Sequence, residues 1–246
     1  MDRMVYLAMT GARQMLMQQA AASNNLANAA SPGFRADLEA FRAMPVFGPG
    51  QPSRVYAMAE RPGVNFQPGS LETTGNDLDV AVDGEGFLAV QAADGTEAYT
   101  RAGDLRLNGN GMLETGNGRP VLGNGGPVAI PPAESIVIAA DGTVSIRPVG
   151  QGSDTLVVVD RLKLVRPDTR ELYKGEDGLF RQKSGANLEA DASVRVVQGA
   201  LESSNVNSVS EMINMMTYQR NFELQVKAMQ TAEKNDAAMS QLMRMA

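Results

Sequence analysis

Four acidic side chains come nearest, in this sequence, to a catalytic grouping. Asp77, Asp79, Asp83 and Glu85 lie close together along the chain, and two neighbouring carboxylates can act as general acid and general base. On a β-strand, however, all four residues share one parity, opposite to the apolar side chains between them. They are therefore predicted to form a solvated face rather than an active site.

Two glycine-rich stretches have only part of the pattern of an ion-binding loop. The stretch "GNGGP" at 123–127 lacks the following helix and the Lys-Ser/Thr pair that hold phosphate in a P-loop. The stretch "NGNGMLE" at 108–114 is spaced faintly like a calcium loop, but it lacks the acidic ligands and the twelve-residue register. Both are predicted to be turns, since Asn and Gly accept the backbone angles that tight turns need.

Composition narrows the chemistry further. The 246 residues include no His and no Cys, which removes thiolate nucleophiles, disulfides, most zinc sites and the commonest general base near neutral pH. The net charge of −6 is unlike the basic surface of a nucleic-acid or anionic-membrane binder. We therefore predict a protein that is not an enzyme, with no catalytic residue, no cofactor and no metal.

The N-terminal end is predicted to be a helix that packs on a partner. Its apolar and small residues follow an alternating four-three spacing, as in the seam where two helices of a coiled coil meet. The members of this track are Met1, Val5, Ala8, Ala12, Met15, Gln19, Ala22 and Leu26. Helical order is expected to fail by Ser31, because the residue before Pro32 is pushed out of the helical region and Gly33 adds a second break.

A longer helix is predicted at the C-terminal end, from about Ser208, because no Gly or Pro interrupts residues 201–246. Ser208 and Glu211 have the spacing of a capping box. One apolar track contains Met215, Tyr218, Phe222, Met229, Ala232, Met239 and Met243, and a second edge contains Val209, Ile213, Met216 and Val226. An isolated helix gains little stability from propensity alone, so this surface needs a partner, and the N-terminal helix is the nearest candidate.

Between the helices, the hydrophobic period becomes that of strands. Hairpin turns are predicted at Asp94-Gly95, at the "NGNG" of 108–111 and at Asp141-Gly142. The predicted fold class is α+β, with N- and C-terminal helices that pair as a coiled coil and an inserted, mostly antiparallel β domain. The predicted boundaries are 1–34 for the first helical segment, 35–75 for an extended and poorly regular connector, 76–197 for the β domain and 198–246 for the second helical segment.

Most of the 15 methionines fall in the two terminal helices. Met is unbranched and adaptable, so it suits surfaces that must pack in several slightly different ways. Two helices make a thin body with too little interior to cover so much apolar surface. An interface with neighbouring subunits is therefore predicted in preference to an ordinary core.

Several long stretches resemble one family. The stretch "SNNLANAASPGFRA" at 23–36 is similar to the N-terminal signature of flagellar rod and hook proteins, and residues 199–246 are similar to their C-terminal signature. The phrases "LDVAVDGEGFLAV", "YTRAGDLRLNGNGMLETGNGRPVLG" and "AADGTVS" resemble the β domain of the same proteins. Within the family, the chain length and the segment "RAMPVFGPG" at 42–50 look most like the proximal-rod member.

The resemblance implies a structural subunit of the bacterial flagellar basal-body rod that self-assembles with other rod proteins into the hollow drive shaft for motility. The terminal helices would line the inner tube, with the β domain outside. Implied partners are proximal and distal rod subunits, copies of the chain itself and the flagellar export apparatus. No nucleic acid, small-molecule substrate or membrane insertion is expected. The subunit would reach the periplasmic rod by flagellar type III export, without a cleaved signal peptide. A distal-rod or hook-type axial subunit is the alternative within the family, and a β-rich hydrolase or an adhesin module is the alternative outside it.

The assembly interface is expected to use the apolar tracks and the amides at the end of the first helix. The predicted interface residues are Val5, Ala12, Met15, Asn24, Asn25, Leu26, Asn28, Val209, Ile213, Met216, Phe222 and Met229. The three asparagines lie along one side of the last helical turn. A polar residue at a packed position costs stability but fixes register, so they are predicted to set the register between neighbouring chains.

Overall fold

The computed structural model describes residues 4–39, 41–45, 55–59, 63–150 and 156–245. The chain divides into two compact units, each of which is discontinuous in sequence. We call the first the helical unit; its segments are Met1–Ala29, Ala36–Asn65 and Val206–Ala246. The second, the β unit, consists of Ala30–Arg35 and Phe66–Asn205.

The helical unit contains the two long helices, α1 (Met4–Ala27) and α2 (Ser208–Met245). It also contains two antiparallel strand pairs, in which the first strand pairs with the fourth and the second with the third. These strands are β1 (Asp37–Leu38), β2 (Phe41–Pro45), β3 (Val55–Ala59) and β4 (Gly63–Val64). In the described part of α1 and α2, no stretch is both long and apolar enough to cross a membrane.

The β unit is built from short antiparallel strands. In chain order they are β5 (Leu71–Thr73), β6 (Val80–Asp83), β7 (Phe87–Gln91), β8 (Glu97–Thr100), β9 (Leu105–Leu107), β10 (Leu113–Thr115), β11 (Leu122–Gly123), β12 (Gly126–Pro127), β13 (Ala133–Ile138), β14 (Thr143–Pro148), β15 (Val157–Arg161), β16 (Leu164–Val165), β17 (Leu172–Lys174), β18 (Phe180–Gln182), β19 (Arg195–Gln198) and β20 (Ala200–Glu202), with a 3₁₀ turn at Thr169–Glu171. The larger sheets have the orders β16-β7-β8-β18-β17 and β13-β14-β15, and the remaining strands pair as β5–β20, β6–β19, β9–β10 and β11–β12. An α+β fold with packed terminal helices and an antiparallel middle is thus confirmed.

Residues 35–75 differ from the irregular connector that we expected. Strands β1 to β5 lie in this range, and of its described Pro and Gly residues Pro68, Gly69 and Gly75 lie outside the strands. Residues 46–54, where Pro and Gly recur, lie outside the described residues, as does Met1 of the first helical track.

The core of the β unit consists of aliphatic side chains contributed by many of its strands. Its buried members are Val80, Val82, Leu88, Val90, Ala92, Ala98, Leu105, Leu113, Val121, Val128, Ile130, Ile138, Val144, Ile146, Leu162, Leu164, Leu179, Val194 and Val196. The predicted turns surround this core. The glycines of Asp94-Gly95, Asn110-Gly111 and Asp141-Gly142 all have positive φ, and "GNGGP" forms the β11–β12 hairpin. These turn predictions are confirmed.

The prediction that all four acidic side chains face solvent is wrong for Asp79. Asp79 is 7% exposed, and its carboxylate accepts hydrogen bonds from the Thr74 hydroxyl (2.6 Å) and the Asn76 amide (3.0 Å). Burial raises the pKa of Asp104, which faces Asp79 across a β-bridge, and the charge of Asp79 adds to that rise. Strand β6 is covered on both faces, as the buried Ala81 shows, so parity alone could not identify a solvent side.

A buried carboxylate joins the two segments of the β unit. Glu202 binds Arg35 (Nη1–Oε1 2.5 Å) and Arg101 (Nη1–Oε2 2.9 Å), and all three side chains are almost fully buried. Its Oε1 also accepts a hydrogen bond from the Gly69 N–H (2.9 Å), and its backbone carbonyl accepts one from the Gly33 N–H (2.7 Å). Glu202 therefore holds together the first and last parts of this unit.

Gly33 is the break that was expected after α1, and it lies against backbone. Its φ is +66°, and a Cβ built there would come 2.2 Å from the Arg101 carbonyl carbon. Gly75 has a similar φ of +74°, but a Cβ there would meet no atom within 4 Å. The two glycines thus separate the cost of the backbone conformation from the cost of the steric contact.

We expect Gly33→Ala to destabilise the β unit more than Gly75→Ala. The control should lose roughly 1–2 kcal/mol, the cost of a left-handed conformation for a residue with a Cβ. Gly33→Ala should lose about 1–3 kcal/mol more, because backbone atoms must move to admit the methyl group. Denaturant titration of both variants measures the difference, and equal losses would contradict the packing at Gly33.

Candidate functional site

The two helices of the helical unit run antiparallel. Gly11 of α1 lies against the side chain of Gln225, since a Cβ at Gly11 would come 3.0 Å from the Gln225 Cδ. Further along α1, the Asn25 amide donates a hydrogen bond to Glu211 (3.4 Å). The two contacts lie fourteen residues apart on both helices, so one register describes the whole pairing.

The contact face of α1 is made of small side chains. Ala8, Ala12 and Ala22 are buried, and Gly11 lies beside them. Small side chains let helices approach closely, because the distance between helix axes depends on the residues at the contact. The four-three track predicted for the N-terminal helix therefore supplies the buried apolar residues of α1.

The inner track of α2 faces α1 only as far as α1 extends. Met215, Tyr218, Phe222 and Met229 are half-buried, and Ala232 is fully buried. The register that pairs Gly11 with Gln225 places Ala232 opposite the first described residue of α1. Residues 233–244 are all exposed, so Met239 and Met243, at the end of this track, are not covered by the described part of α1, and their packing on a partner stays a prediction.

Three of the four residues of the second apolar edge of α2 lie in solvent, and the fourth, Val226, is half-buried. Val209, Ile213 and Met216 are 64%, 59% and 63% exposed, and Met212 and Leu224 are also exposed. Residues three and four apart share one face of a helix, so Val209, Ile213 and Met216 form a continuous stripe, which Met212 widens. We call these four residues the outer stripe. A surface helix normally turns its apolar side toward a core, so the outer stripe is a candidate docking surface.

The first helix also turns apolar side chains outward. Tyr6, Met9 and Leu16 are exposed, and the seven-residue spacing of Met9 and Leu16 places them on one side of α1. The helix pair therefore presents apolar surface on both helices.

The amide of Asn25 joins α1 to the strand that follows it. Asn25 is 3% exposed. Its Oδ1 accepts a hydrogen bond from the Asp37 N–H (2.8 Å), and its Nδ2 donates to the Asp37 carbonyl (3.0 Å) as well as to Glu211. One side chain thus fixes the start of β1 against the end of α1, and it also contacts the first turns of α2.

The neighbouring amides act more locally. Asn24 donates to the Asp37 carboxylate (2.6 Å), and Asn28 donates to the Asn24 carbonyl (2.9 Å), which lies in the last turn of α1. All three asparagines therefore have partners within their own chain. Their contact with neighbouring chains stays a prediction.

The start of α2 is capped by a different residue from the one predicted. The Asn207 side chain accepts a hydrogen bond from the Ser210 N–H (3.0 Å), as an N-cap residue does. Ser208 is already helical, so the predicted capping box is wrong. Glu211 instead lies near Tyr218, whose pKa is raised by burial and then by the Glu211 charge.

The predicted interface residues divide by exposure. Ala12 and Asn25 are buried; Val5, Met15, Leu26, Asn28, Phe222 and Met229 are half-buried; Asn24, Val209, Ile213 and Met216 are exposed. The half-buried apolar residues lie on the tracks that face the partner helix, whereas the exposed apolar ones belong to the outer stripe. The sequence analysis did not single out Gly11. The glycine itself was the available signal, because a glycine inside a helical pattern usually has a packing reason.

We expect Asn25→Asp to destabilise the helical unit by about 1–3 kcal/mol, because the Asp37 carbonyl loses its donor from the buried Asn25 side chain and an acidic group is placed beside Glu211. Asn235→Asp is the matched control: it makes the same chemical change at an exposed position of α2 and should cost no more than about 0.5 kcal/mol. Urea unfolding followed by circular dichroism compares them. Equal stability of Asn25→Asp and the unsubstituted chain would count against this role of the amide.

Comparison with known proteins identifies the family of this helix pair and β unit. The family model for the flagellar basal body rod FlgEFG protein C-terminal region matches residues 197–242, and that for the flagellar hook protein FlgE/F/G D1 domain matches residues 81–146.

Full-length relatives agree with these matches. The flagellar basal-body rod proteins FlgF of Escherichia coli K12 and Salmonella typhimurium LT2 are each 44% identical to the chain, with all of both chains covered. The rod protein FlgG of Buchnera aphidicola from Acyrthosiphon pisum is 31% identical, over 97% of this chain and 98% of its own. The chain therefore belongs to the flagellar basal-body rod protein family, as a FlgF-like member.

Proposed function

We propose that this chain is a structural subunit of the bacterial flagellar rod and that it assembles by packing the outer stripe of α2 on neighbouring subunits. The identity of 44% over the full length of both chains to rod proteins named FlgF carries the role. The exposure of Val209, Ile213 and Met216 supports the surface. A structural rather than a catalytic role follows, because the relatives compared above are rod proteins.

A position in the proximal rod fits the pattern of identities. The chain shares 44% of its residues with FlgF of E. coli and 31% with the FlgG of Buchnera. We take FlgF as the proximal-rod member of the family and FlgG as the distal-rod member. We infer proximal placement, next to other proximal and distal rod subunits.

The two apolar edges of α2 suggest how assembly works. The inner track packs on α1, and we propose that this pairing continues as a coiled coil in the rod. The outer stripe then meets a different surface on the next subunit. Contacts between unlike surfaces build an open helical assembly when their rotation does not close into a ring, and we propose that this is how the rod grows.

The partners and the route follow from this role. Copies of the chain and other rod subunits would cover the outer stripe, and residues 1–34 and 198–246 would line the inner tube with the inserted β domain, 76–197, outside. We propose that the subunit reaches the periplasmic rod through the flagellar type III export apparatus.

We expect Ile213→Asp to abolish rod assembly and motility in cells that lack the native protein. A carboxylate in a packed interface would have to be desolvated without a partner. The substitution lies in solvent in the single chain, so the purified variant should fold with an unchanged circular-dichroism spectrum. Soft-agar motility and electron microscopy of basal bodies measure the effect.

Ser240→Asp is the matched control for this experiment. Ser240 is exposed and polar, and it lies 27 residues further along α2, about 180° around the helix from Ile213. Cells that carry Ser240→Asp should swim. Swimming cells that carry Ile213→Asp would rule out the outer stripe as an essential interface.

A further inference from the structure

Sulfur in this protein is concentrated in the helical unit. The chain has 15 methionines and no cysteine, and Met112 is the one methionine that belongs to the β unit. Any oxidation of sulfur therefore falls on thioethers, and almost entirely on the unit that carries the proposed interface.

Two of these thioethers lie in the outer stripe. Met212 and Met216 are 50% and 63% exposed and are one helical turn apart, on either side of Ile213. Met215, next to Met216 in sequence, is half-buried on the track that faces α1. The same turn of helix thus holds solvent-accessible and shielded methionines side by side.

Oxidation would reverse the polarity of the stripe. A peroxide transfers one oxygen atom to the thioether: an S–O bond forms, the O–O bond breaks, the sulfur is oxidised to the sulfoxide and the peroxide is reduced to water. A sulfoxide is a polar hydrogen-bond acceptor on what was an apolar side chain, and this change disrupts Met-rich interfaces. Burying such a group without a donor is unfavourable.

We propose that Met212 and Met216 are oxidation sites that block assembly of the free subunit, and that packing of the outer stripe protects them once the subunit is assembled. This inference rests on the proposed function, since it needs the stripe to be buried between subunits. The direction of the effect follows from exposure: the thioethers are open to the oxidant before assembly and are covered after it. The reaction is reversible, because methionine sulfoxide reductases remove the oxygen from each epimer.

The test uses the purified full-length chain treated with hydrogen peroxide. Peptide mass mapping should find sulfoxide at Met212 and Met216 before Met215 and Met112. Sedimentation velocity should show that self-association weakens by about ten- to hundredfold in dissociation constant, the change expected when one or two unpartnered polar groups enter an interface. Incubation with both methionine sulfoxide reductases and dithiothreitol, which is oxidised to its disulfide as the sulfoxide oxygen leaves as water, should restore association.

Other exposed methionines, such as Met239 and Met243, will also react, so variants assign the effect. The double variant Met212→Leu, Met216→Leu is compared with its own untreated sample, and peroxide should leave its dissociation constant within about twofold, because no thioether remains in the stripe. Met112→Leu, outside the stripe, should keep the full sensitivity. A treated double variant that weakens as much as the unsubstituted chain would overturn the inference.

The Ile213→Asp variant separates this inference from the function on which it rests. If Ile213→Asp fails to associate while peroxide leaves the unsubstituted chain unaffected, the interface holds and the oxidation sites are wrong. If Ile213→Asp and the unsubstituted chain behave alike, whether both associate or neither does, the outer stripe is not an interface and both proposals fall.

Discussion

Glu202 lies between two guanidinium groups that arrive from distant parts of the chain. Arg101 is 101 residues away in sequence, and Arg35 belongs to the short segment that begins the β unit. Arg101 also donates hydrogen bonds to the Val82 carbonyl (3.0 Å) and the Gly84 carbonyl (2.5 Å). Taking charges out of water is costly, and a buried ion is tolerated only when its partners remain in place. Two buried cations share one carboxylate, so this unit is complete only when the residues around position 35 and position 202 are both present.

The helical unit, too, is complete only when its first and last segments are both present, but these segments meet through side-chain packing rather than through a buried ion pair. Its first and last segments meet through small side chains on α1 and the half-buried track on α2. A helix pair of this size has two faces per helix and only one mutual contact, so apolar residues beyond that contact face solvent. In α2 those residues form the outer stripe, and its charge-free, adaptable composition of Val, Ile and Met suits a surface that must fit more than one neighbour. A fold that joins the ends of its chain, yet leaves one helix edge uncovered, is consistent with a protein that completes its burial by assembly.

Local chemistry made much of this structure predictable. The hairpins at Asp94-Gly95 and Asp141-Gly142 follow from turn residues that act within a few positions, and so does the end of α1 before Pro32. Asp79 and Glu202 show what sequence patterns could not supply. Glu202 is buried against Arg101, 101 residues away, and the backbone carbonyl of Asp79 accepts a hydrogen bond from the Gly199 N–H. Val209, Ile213 and Met216 of the outer stripe were predicted as an apolar edge, whereas Met212 was not. Which edge of α2 faces α1 depends on helix length and register, which the hydrophobic period alone does not specify.

The amides at the end of α1 show why asparagine, rather than another polar residue, stands at these positions. Asn25 must accept from one backbone N–H and donate to one backbone carbonyl of the same residue, Asp37, while remaining uncharged in a buried site. An aspartate could accept but not donate, and it would add charge near Glu211; a serine would offer one hydroxyl and too short a reach for both groups. An amide matches the donor and acceptor of a peptide unit, so the side chain of Asn25 takes the place of a neighbouring strand at the edge of β1. The relative positions of α1, β1 and α2 are thus fixed first within the chain. A neighbouring subunit that packs on α2 therefore meets a helix whose position the Asn25 amide helps to set.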